Sequence, residues 1–218
     1  MELTETSRLA LLSTAWIAYF ALHSLLASLR VKRWVAERHP DLMPAYRLMF
    51  NAVALLFIIP PLAMTYLFRG EWLWQWTGPG GWLVNGIALL AVGGFVWSLR
   101  YYDSGEFFGT KQWRERSREV EDQEQLHISP LHRFVRHPWY SLGLLLIWTR
   151  DMDPAFLVTA TLVTLYFIVG SRLEEQKLMV YHGESYRRYR DKVPGLVPLP
   201  WRWLSEREAM ALQARSDQ

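Results

Sequence analysis

The sequence predicts an all-α integral membrane protein with about five transmembrane helices, the last two forming a helical hairpin. Hydrophobic residues make up 51% of the 218 positions and are gathered in long runs. Three of these runs reach the roughly 20 apolar residues that a spanning helix requires. Lys and Arg are concentrated between the runs, as expected for loops at a membrane surface.

The first three runs predict three spanning helices, at residues 9–29, 46–68 and 82–102. The third run contains small residues that allow a neighbouring helix to approach closely, namely Gly86, Gly93 and Gly94.

The hairpin is predicted from a short apolar run at residues 138–148, a tight turn at 150–154 and a second run at 155–171. We therefore expect one membrane-embedded domain over residues 1–218. Its parts are three N-terminal spans, a cytoplasmic connection, and the hairpin with a C-terminal core, at residues 1–102, 103–137 and 138–218.

The basic residues predict the orientation of these segments. Five spans place all but three of the 24 Lys and Arg residues on one face, the exceptions being Arg8, Arg69 and Arg150. Four spans would place basic regions on both faces. Cytoplasmic loops are rich in Lys and Arg. We therefore expect the N-terminus outside and the C-terminus in the cytoplasm. The membrane that we expect is a bacterial inner membrane.

The composition excludes several kinds of site. The chain has no cysteine, which excludes disulfides, thiolate metal sites and a Cys nucleophile. The net charge is +3 and the basic residues lie beside apolar runs, so membrane lipids with anionic headgroups are the expected electrostatic partner. No nucleic-acid motif is present. No spacing around His23 or His137 is typical of a metal or haem site. His23 lies within an apolar run, where it either bonds a neighbouring helix or contacts a ligand.

The first foot of the hairpin is Arg136-His137-Pro138. Proline is favoured at the first position of a helix, and the N–H groups at a helix start attract carboxylates and phosphates. Arg136 and His137 stand beside that start. In the alternative interpretation, Arg136 extends to lipid phosphates and His137 caps the helix.

The second foot carries Glu174 and Glu175, followed by a tyrosine-rich segment. Adjacent helical residues point about 100° apart, so the two carboxylates cannot face one pocket equally. One would contact a cationic ligand while the other pairs with Arg172 or Lys177; alternatively, both are solvated. Tyr186 and Tyr189 share a helix face and either attract a cation or anchor the chain at the interface.

Two further segments are predicted outside the membrane. Residues 115–125 are charged and lack apolar periodicity, which indicates a solvated helix or loop. Ser205 and Glu208 have the spacing of a capping box that begins a short C-terminal helix.

The residues at the two feet of the hairpin resemble the C-terminal core of the isoprenylcysteine carboxyl methyltransferase and phospholipid methyltransferase superfamily of integral membrane enzymes. The likeness covers roughly residues 130–198 and rests on Arg136-His137-Pro138-x-Tyr140, Glu174-Glu175 and Gly183-x-x-Tyr186-x-x-Tyr189. Further residues resemble the narrower methanethiol S-methyltransferase-like and NnrU-like branch, namely His23-Ser24, Phe108-Gly109-x-x-Gln112 and Pro130-Leu131-x-Arg133.

The resemblance implies an S-adenosylmethionine-dependent methyltransferase that acts on a small or lipophilic acceptor, most readily a thiol. We expect cofactor binding at Arg136, His137, Pro138, Tyr140, Glu174, Glu175 and Tyr186, and catalysis by His132, His137 and Arg136. The cofactor carboxylate would lie at the helix start after Pro138, and its sulfonium and amino groups near Glu174 or Glu175. His132 departs from the Tyr or Phe usual in the family. His132 or His137 would take the proton of a thiol acceptor.

Two other functions remain open at the level of sequence. Sterol reductases share a related core and use NADPH, although this chain has no Gly-rich phosphate-binding fingerprint. A non-enzymatic membrane component that binds a ligand or haem is the third.

Overall fold

The computed structural model describes residues 3–120 and 126–216, and within these ranges the regular structure is helical, without a β-strand. The nine α-helices of the described ranges are α1 Glu5–Ala27, α2 Leu29–Arg38, α3 Met43–Leu67, α4 Gly78–Ser98, α5 Ser104–Phe108, α6 Thr110–Glu115, α7 Pro138–Trp148, α8 Pro154–Lys192 and α9 Glu206–Ser216.

Four of these helices, α1, α3, α4 and α8, are long and apolar enough to cross a membrane. This confirms the prediction of an all-α integral membrane protein. Helix α7 is apolar but has only 11 residues, fewer than a complete span needs. The count of five segments and the orientation of the termini therefore stay predictions.

Helix α8 is longer than the sequence indicated. The apolar run ends near Ser171, yet the helix continues to Lys192 and has 39 residues. Residues after Ser171 are mostly Glu, Gln, Lys, Arg and Leu, which favour helix even in water. At 1.5 Å per residue the helix measures about 58 Å, well beyond the roughly 30 Å of a hydrocarbon core. Its charged half therefore projects out of the apolar stretch, with a kink at Gly183, where φ is 47°.

The chain divides into two compact units. The first comprises the described parts of residues 1–75, 102–122 and 151–163. Within it, the indole N–H of Trp16 in α1 donates to Thr159 Oγ1 of α8 over 3.0 Å. Thr159 Oγ1 also lies 2.7 Å from Thr65 Oγ1 of α3. This neutral polar bridge is buried and joins three helices, as interhelical hydrogen bonds do in membranes.

The second unit comprises the described parts of residues 76–101, 123–150 and 164–218. Here α4 packs on α7, with Trp139 Nε1 donating to Ser98 Oγ over 2.8 Å. Of the three glycines predicted to allow close helix contact, Gly94 faces Leu142 of α7, whereas Gly86 and Gly93 have no described neighbour within 4 Å of an added Cβ.

Helices α7 and α8 form the predicted hairpin within the second unit. The rings of Tyr140 and Phe167 stack at 4.6 Å, and Gly143 lies against the same phenylalanine ring. The indole N–H of Trp148 donates to Thr164 Oγ1 over 3.0 Å. The C-terminal end of the second unit has a hydrophobic cluster of its own, formed by Leu126, Ile128, Tyr186, Tyr189, Val193, Leu204, Ala209 and Leu212.

The structure confirms the capping box, because Ser205 N donates to Glu208 Oε2 and Glu208 N donates to Ser205 Oγ at the start of α9. The charged segment predicted at 115–125 begins with the last residue of α6 and continues without regular structure to Val120. Residues 121–125 lie outside the described ranges.

Candidate functional site

The candidate site lies in the second unit, where α7 begins beside the charged half of α8. Pro138 occupies the first helical position, as predicted, and the His137 side chain makes no capping hydrogen bond. Instead, the backbone N–H groups of Arg136 and His137 donate to the carbonyls of Pro194 and Gly195 over 2.8 and 3.1 Å. A segment far along the chain therefore fixes the start of α7.

Arg136 points inward, so the interpretation that it extends to lipid phosphates is wrong. Its Nε and Nη2 donate to Glu175 Oε1 over 2.9 and 2.7 Å. Its Nη1 donates to the carbonyls of Arg190, over 3.0 Å, and Val193. The side chain is 11% exposed. Four of the five guanidinium N–H donors are thus used within the protein.

His137 lies between the two carboxylates. Its Nε2 is 3.0 Å from Glu175 Oε1, and its Nδ1 is 3.4 Å from Glu174 Oε2. The partners of the two glutamates are therefore His137 and Arg136 across the hairpin, where the sequence indicated Arg172 or Lys177. As expected for adjacent helical positions, the carboxylates are unequal: the Glu174 side chain is 42% exposed and that of Glu175 is 16% exposed.

The electrostatics of this charged cluster, Arg136, His137, Glu174 and Glu175, favour the protonated form of His137. Burial alone would lower the pKa of His137, but the hydrogen bonds to Glu174 and Glu175 outweigh it and raise the pKa above its ordinary value. Burial would likewise raise the pKa of Glu175, and the bonds from His137 and Arg136 lower it instead. With His137 protonated, the formal charges of the cluster cancel.

A stack of three rings extends from the cluster. His137 lies parallel to Tyr140 at 5.5 Å, and Tyr140 lies parallel to Phe167 at 4.6 Å. An imidazolium over an aromatic face is stabilised by the ring quadrupole. The predicted site residue Tyr140 therefore supports His137 from within the hairpin.

Tyr186 and Tyr189 are buried, so the interpretation that they anchor the chain at the interface is wrong. Tyr189 donates its hydroxyl to the carbonyl of His132 over 2.7 Å. Tyr186 is 1% exposed, and its buried hydroxyl lies beside the Arg136 guanidinium, without a well-formed hydrogen bond to any described residue. Burial and then the nearby Glu175 raise the pKa of this phenol; the Arg136 guanidinium acts in the opposite direction.

His132 is held as a neutral imidazole. Its Nδ1 lies 2.7 Å from the hydroxyl of Ser129, a residue that is 2% exposed. Burial lowers the pKa of His132 to about 4, and the nearby His127 and His137 act in the same direction.

Sequence reasoning missed Ser129 and Gly195. Two sequence signals could have pointed to them: Ser129 lies directly before a proline, and Gly195 belongs to a Pro194-Gly195 dipeptide, which is typical of a turn.

His23 lies apart from these residues in the first unit, where its ring is 5.0 Å from that of Phe50 in α3. This agrees with a contact to a neighbouring helix. Across the described ranges, no three His, Asp or Glu side chains are grouped so as to hold a metal ion.

Comparison with known proteins identifies the family. The chain is 31% identical over 197 residues to the methanethiol S-methyltransferase of a Pseudomonas species, covering 83% of this chain and 69% of the relative. The chain belongs to the methanethiol S-methyltransferase family. It is also 29% identical to the enzyme of that name from Crocosphaera subtropica, over 86% of this chain and 74% of the relative. A Mycobacterium tuberculosis relative is 29% identical over 83% of this chain and 74% of its own length.

No protein-family model matches the chain, and no solved structure does. Membership of this family makes the chain a membrane methyltransferase, as the sequence predicted. The reductase and the non-enzymatic ligand-binding component are not favoured.

Proposed function

We propose that this membrane methyltransferase transfers a methyl group from S-adenosylmethionine to a small or lipophilic thiol. The family relationship carries the proposal, because the relatives are named for S-methylation of methanethiol. The absence of cysteine favours direct transfer to the acceptor over a covalent enzyme intermediate. When bound, the cofactor supplies an electrophilic methyl group, whose bond to the donor sulfur breaks as the acceptor sulfur attacks.

The residues at the foot of the hairpin fit this cofactor. A carboxylate suits the start of α7 at Pro138, because the first N–H groups of a helix have no intrahelical partner. The cofactor's cationic sulfonium and amino groups suit the exposed carboxylate of Glu174. The buried hydroxyl of Tyr186, which lies beside the Arg136 guanidinium, would bond a polar group of the cofactor.

We assign different roles to the members of the charged cluster. Glu174 contacts the cationic ligand, because it is the more exposed carboxylate and makes a single long ion-pair contact, to His137, among the described residues. Glu175 accepts three hydrogen bonds on one oxygen and positions Arg136 and His137. Arg136, predicted from sequence as a cofactor contact, is proposed here as a positioning residue, since four of its donors are already used.

Neither histidine suits the role of a strong base. Both ring nitrogens of His137 already lie against carboxylates, which raise its pKa and favour the protonated form. His132 is neutral, but with a pKa of about 4 it binds a thiol proton weakly. A thiolate is the attacking species in sulfur chemistry. We therefore propose that the acceptor loses its proton to solvent and that activity rises with pH toward the thiol's own pKa.

The distribution of Lys and Arg supports five membrane segments with a cytoplasmic C-terminus, with α7 as the short fourth segment. Reporter fusions after Gln218 and between residues 70 and 81 test this topology. Reporters on opposite sides are expected, and reporters on the same side contradict it.

The acceptor is tested by labelled methyl transfer from S-adenosylmethionine to a panel of thiols, amines, carboxylates and lipid extracts. We expect label in a small or lipophilic thiol. Label in phosphatidylethanolamine or a carboxylate, with no thiol labelled, contradicts the thiol assignment but retains the methyltransferase. Hydride transfer from NADPH with no methyl transfer contradicts both.

A further inference from the structure

Helix α2 is joined to the end of α1 by a single residue, Ser28. The Ser28 backbone leaves the helical conformation at ψ 142°. Its hydroxyl donates to the carbonyl of Leu25 over 2.6 Å and accepts from the backbone N–H of Val31 over 3.4 Å. These bonds end α1 and begin α2 at one point. The short charged helix is therefore held at the end of a helix long and apolar enough to cross a membrane.

The two faces of α2 differ in composition. The exposed residues follow helical spacing and form one face, the α2 stripe, which consists of Arg30, Arg33, Trp34, Glu37 and Arg38. On the other face Lys32 is 8% exposed, and Val31 and Val35 are half-buried. The stripe thus carries three guanidinium groups against one carboxylate. At its centre lies Trp34, which is 55% exposed.

This combination matches the headgroup layer of a bilayer. Tryptophan prefers the membrane interface, where the ring lies in an apolar region and the indole N–H meets water. Arginine forks bind phosphate oxygens bidentately, and each basic residue near an anionic surface strengthens binding about fivefold. An exposed indole between arginines is better accommodated at a lipid interface than in bulk water, because the interface offers phosphates to the guanidinium groups and acyl chains to the ring.

We propose that the α2 stripe binds the headgroups of anionic phospholipids at the membrane surface where α1 ends. Charge complementarity and the direct continuity of α2 with α1 select this occupant over a soluble anion or an acidic protein. The inference does not depend on methyl transfer and concerns the first unit alone.

The test uses the absence of native cysteine, because a single introduced Cys is a unique labelling site. A spin label is placed by Glu37→Cys on the stripe, which retains Trp34 and the three arginines. A matched control is Val180→Cys, at a position 82% exposed in the charged half of α8. Accessibility to a water-soluble relaxation agent is measured for the full chain in nanodiscs of phosphatidylcholine alone or with phosphatidylglycerol.

We expect the Glu37→Cys label to be more protected in nanodiscs that contain phosphatidylglycerol, with no such difference at the Val180→Cys control. Combining the label with Arg30→Gln, Arg33→Gln and Arg38→Gln should abolish the difference. Equal accessibility in both lipids, or protection that survives the triple substitution, overturns the proposal. Inorganic phosphate and potassium chloride of equal ionic strength are also added to the labelled protein in nanodiscs. If phosphate removes the protection of the Glu37→Cys label and potassium chloride does not, the stripe is a soluble-anion site and the proposal is overturned.

Discussion

The two units of the molecule join their helices with opposite chemistry. In the first unit, neutral groups of Trp16, Thr65 and Thr159 form a hydrogen-bonded bridge. In the second, formally charged side chains of Arg136, His137, Glu174 and Glu175 pair across the hairpin.

A neutral bridge is a modest and sufficient way to hold membrane helices. Buried ion pairs carry a large desolvation penalty and often stabilise no more than apolar residues of similar size. The comparison teaches that helix packing alone does not account for the charged cluster. The proposed cofactor site accounts for it: in that proposal the cluster holds Glu174 in a fixed position, and its positive and negative groups keep the site near neutrality. Changes in the two units should therefore have different consequences for stability and for activity.

The largest effect is expected for Arg136→Ala in the charged cluster. Among the described residues, removing the guanidinium leaves Glu175 with His137 as its partner, the Val193 carbonyl without a donor, and the Arg190 carbonyl with the 3.4 Å bond from Arg202. Breaking a buried pair costs about 3–5 kcal/mol. We expect a large loss of unfolding free energy in bicelles and no measurable methyl transfer. An Arg136→Ala variant as stable as wild type would contradict the positioning role assigned to Arg136.

A large effect on activity without a comparable effect on stability is expected for Glu174→Gln. The substitution removes the negative charge proposed to contact the cationic cofactor, and charged hydrogen bonds contribute about 1.5–3 kcal/mol. We expect kcat/KM for S-adenosylmethionine to fall by about 10- to 100-fold. The matched control is Glu184→Gln on the same helix, whose carboxylate pairs only with exposed Arg187 and Arg188 among the described residues. Equal losses in both variants would contradict the assignment.

The charged cluster should also make stability depend on pH. The folded pKa of His137 is raised, so its contribution is fully present below the ordinary pKa of 6.5 and is lost as pH rises through the folded value. The folded pKa of Glu175 is lowered, so its contribution is present above 4.5 and is lost as pH falls through the folded value.

His132 adds to the acid side, because its folded pKa is lowered: its contribution is present above 6.5 and is lost as pH falls toward about 4. Thermal unfolding measured across pH should show a maximum between these limits. His137→Gln should flatten the alkaline decline, and an unchanged alkaline decline in that variant would show that another group causes it.

The smallest effect is expected in the first unit. Trp16→Phe removes the donor to Thr159 and retains an aromatic ring. Hydrogen bonds between membrane helices average about 0.6 kcal/mol. We expect a loss of unfolding free energy of that size and methyl transfer close to wild type. A loss comparable to that of Arg136→Ala would erase the distinction between the two units.

Local signals in the sequence predicted much of the fold and the residues that the structure brings together at the feet of the hairpin. Pro138 predicted the start of α7, and Ser205 with Glu208 predicted the start of α9, because helix caps depend on neighbouring residues. The extension of α8 beyond Ser171 was missed, since the end of an apolar run was taken as the end of a helix.

Contacts between distant residues were harder to predict. Arg136 and Glu175 are 39 residues apart. The sequence predicted that each belongs to a cluster at one foot of the same hairpin, but not that the two side chains pair. The carbonyls of Arg190 and Val193 that accept from Arg136 carry no side-chain signal at all. Which oxygen or nitrogen each charged group meets is decided by tertiary packing, and so are the neutral state of His132 and the burial of Tyr186.

Calorimetric titration of S-adenosylmethionine into the purified protein tests the central claim most directly. Three chains are compared: wild type, His137→Ala in the charged cluster and Trp16→Phe in the neutral bridge. The account predicts that Trp16→Phe binds the cofactor as tightly as wild type and that His137→Ala binds it at least about tenfold more weakly. Equal affinity of all three chains would place cofactor binding outside the charged cluster and contradict the account.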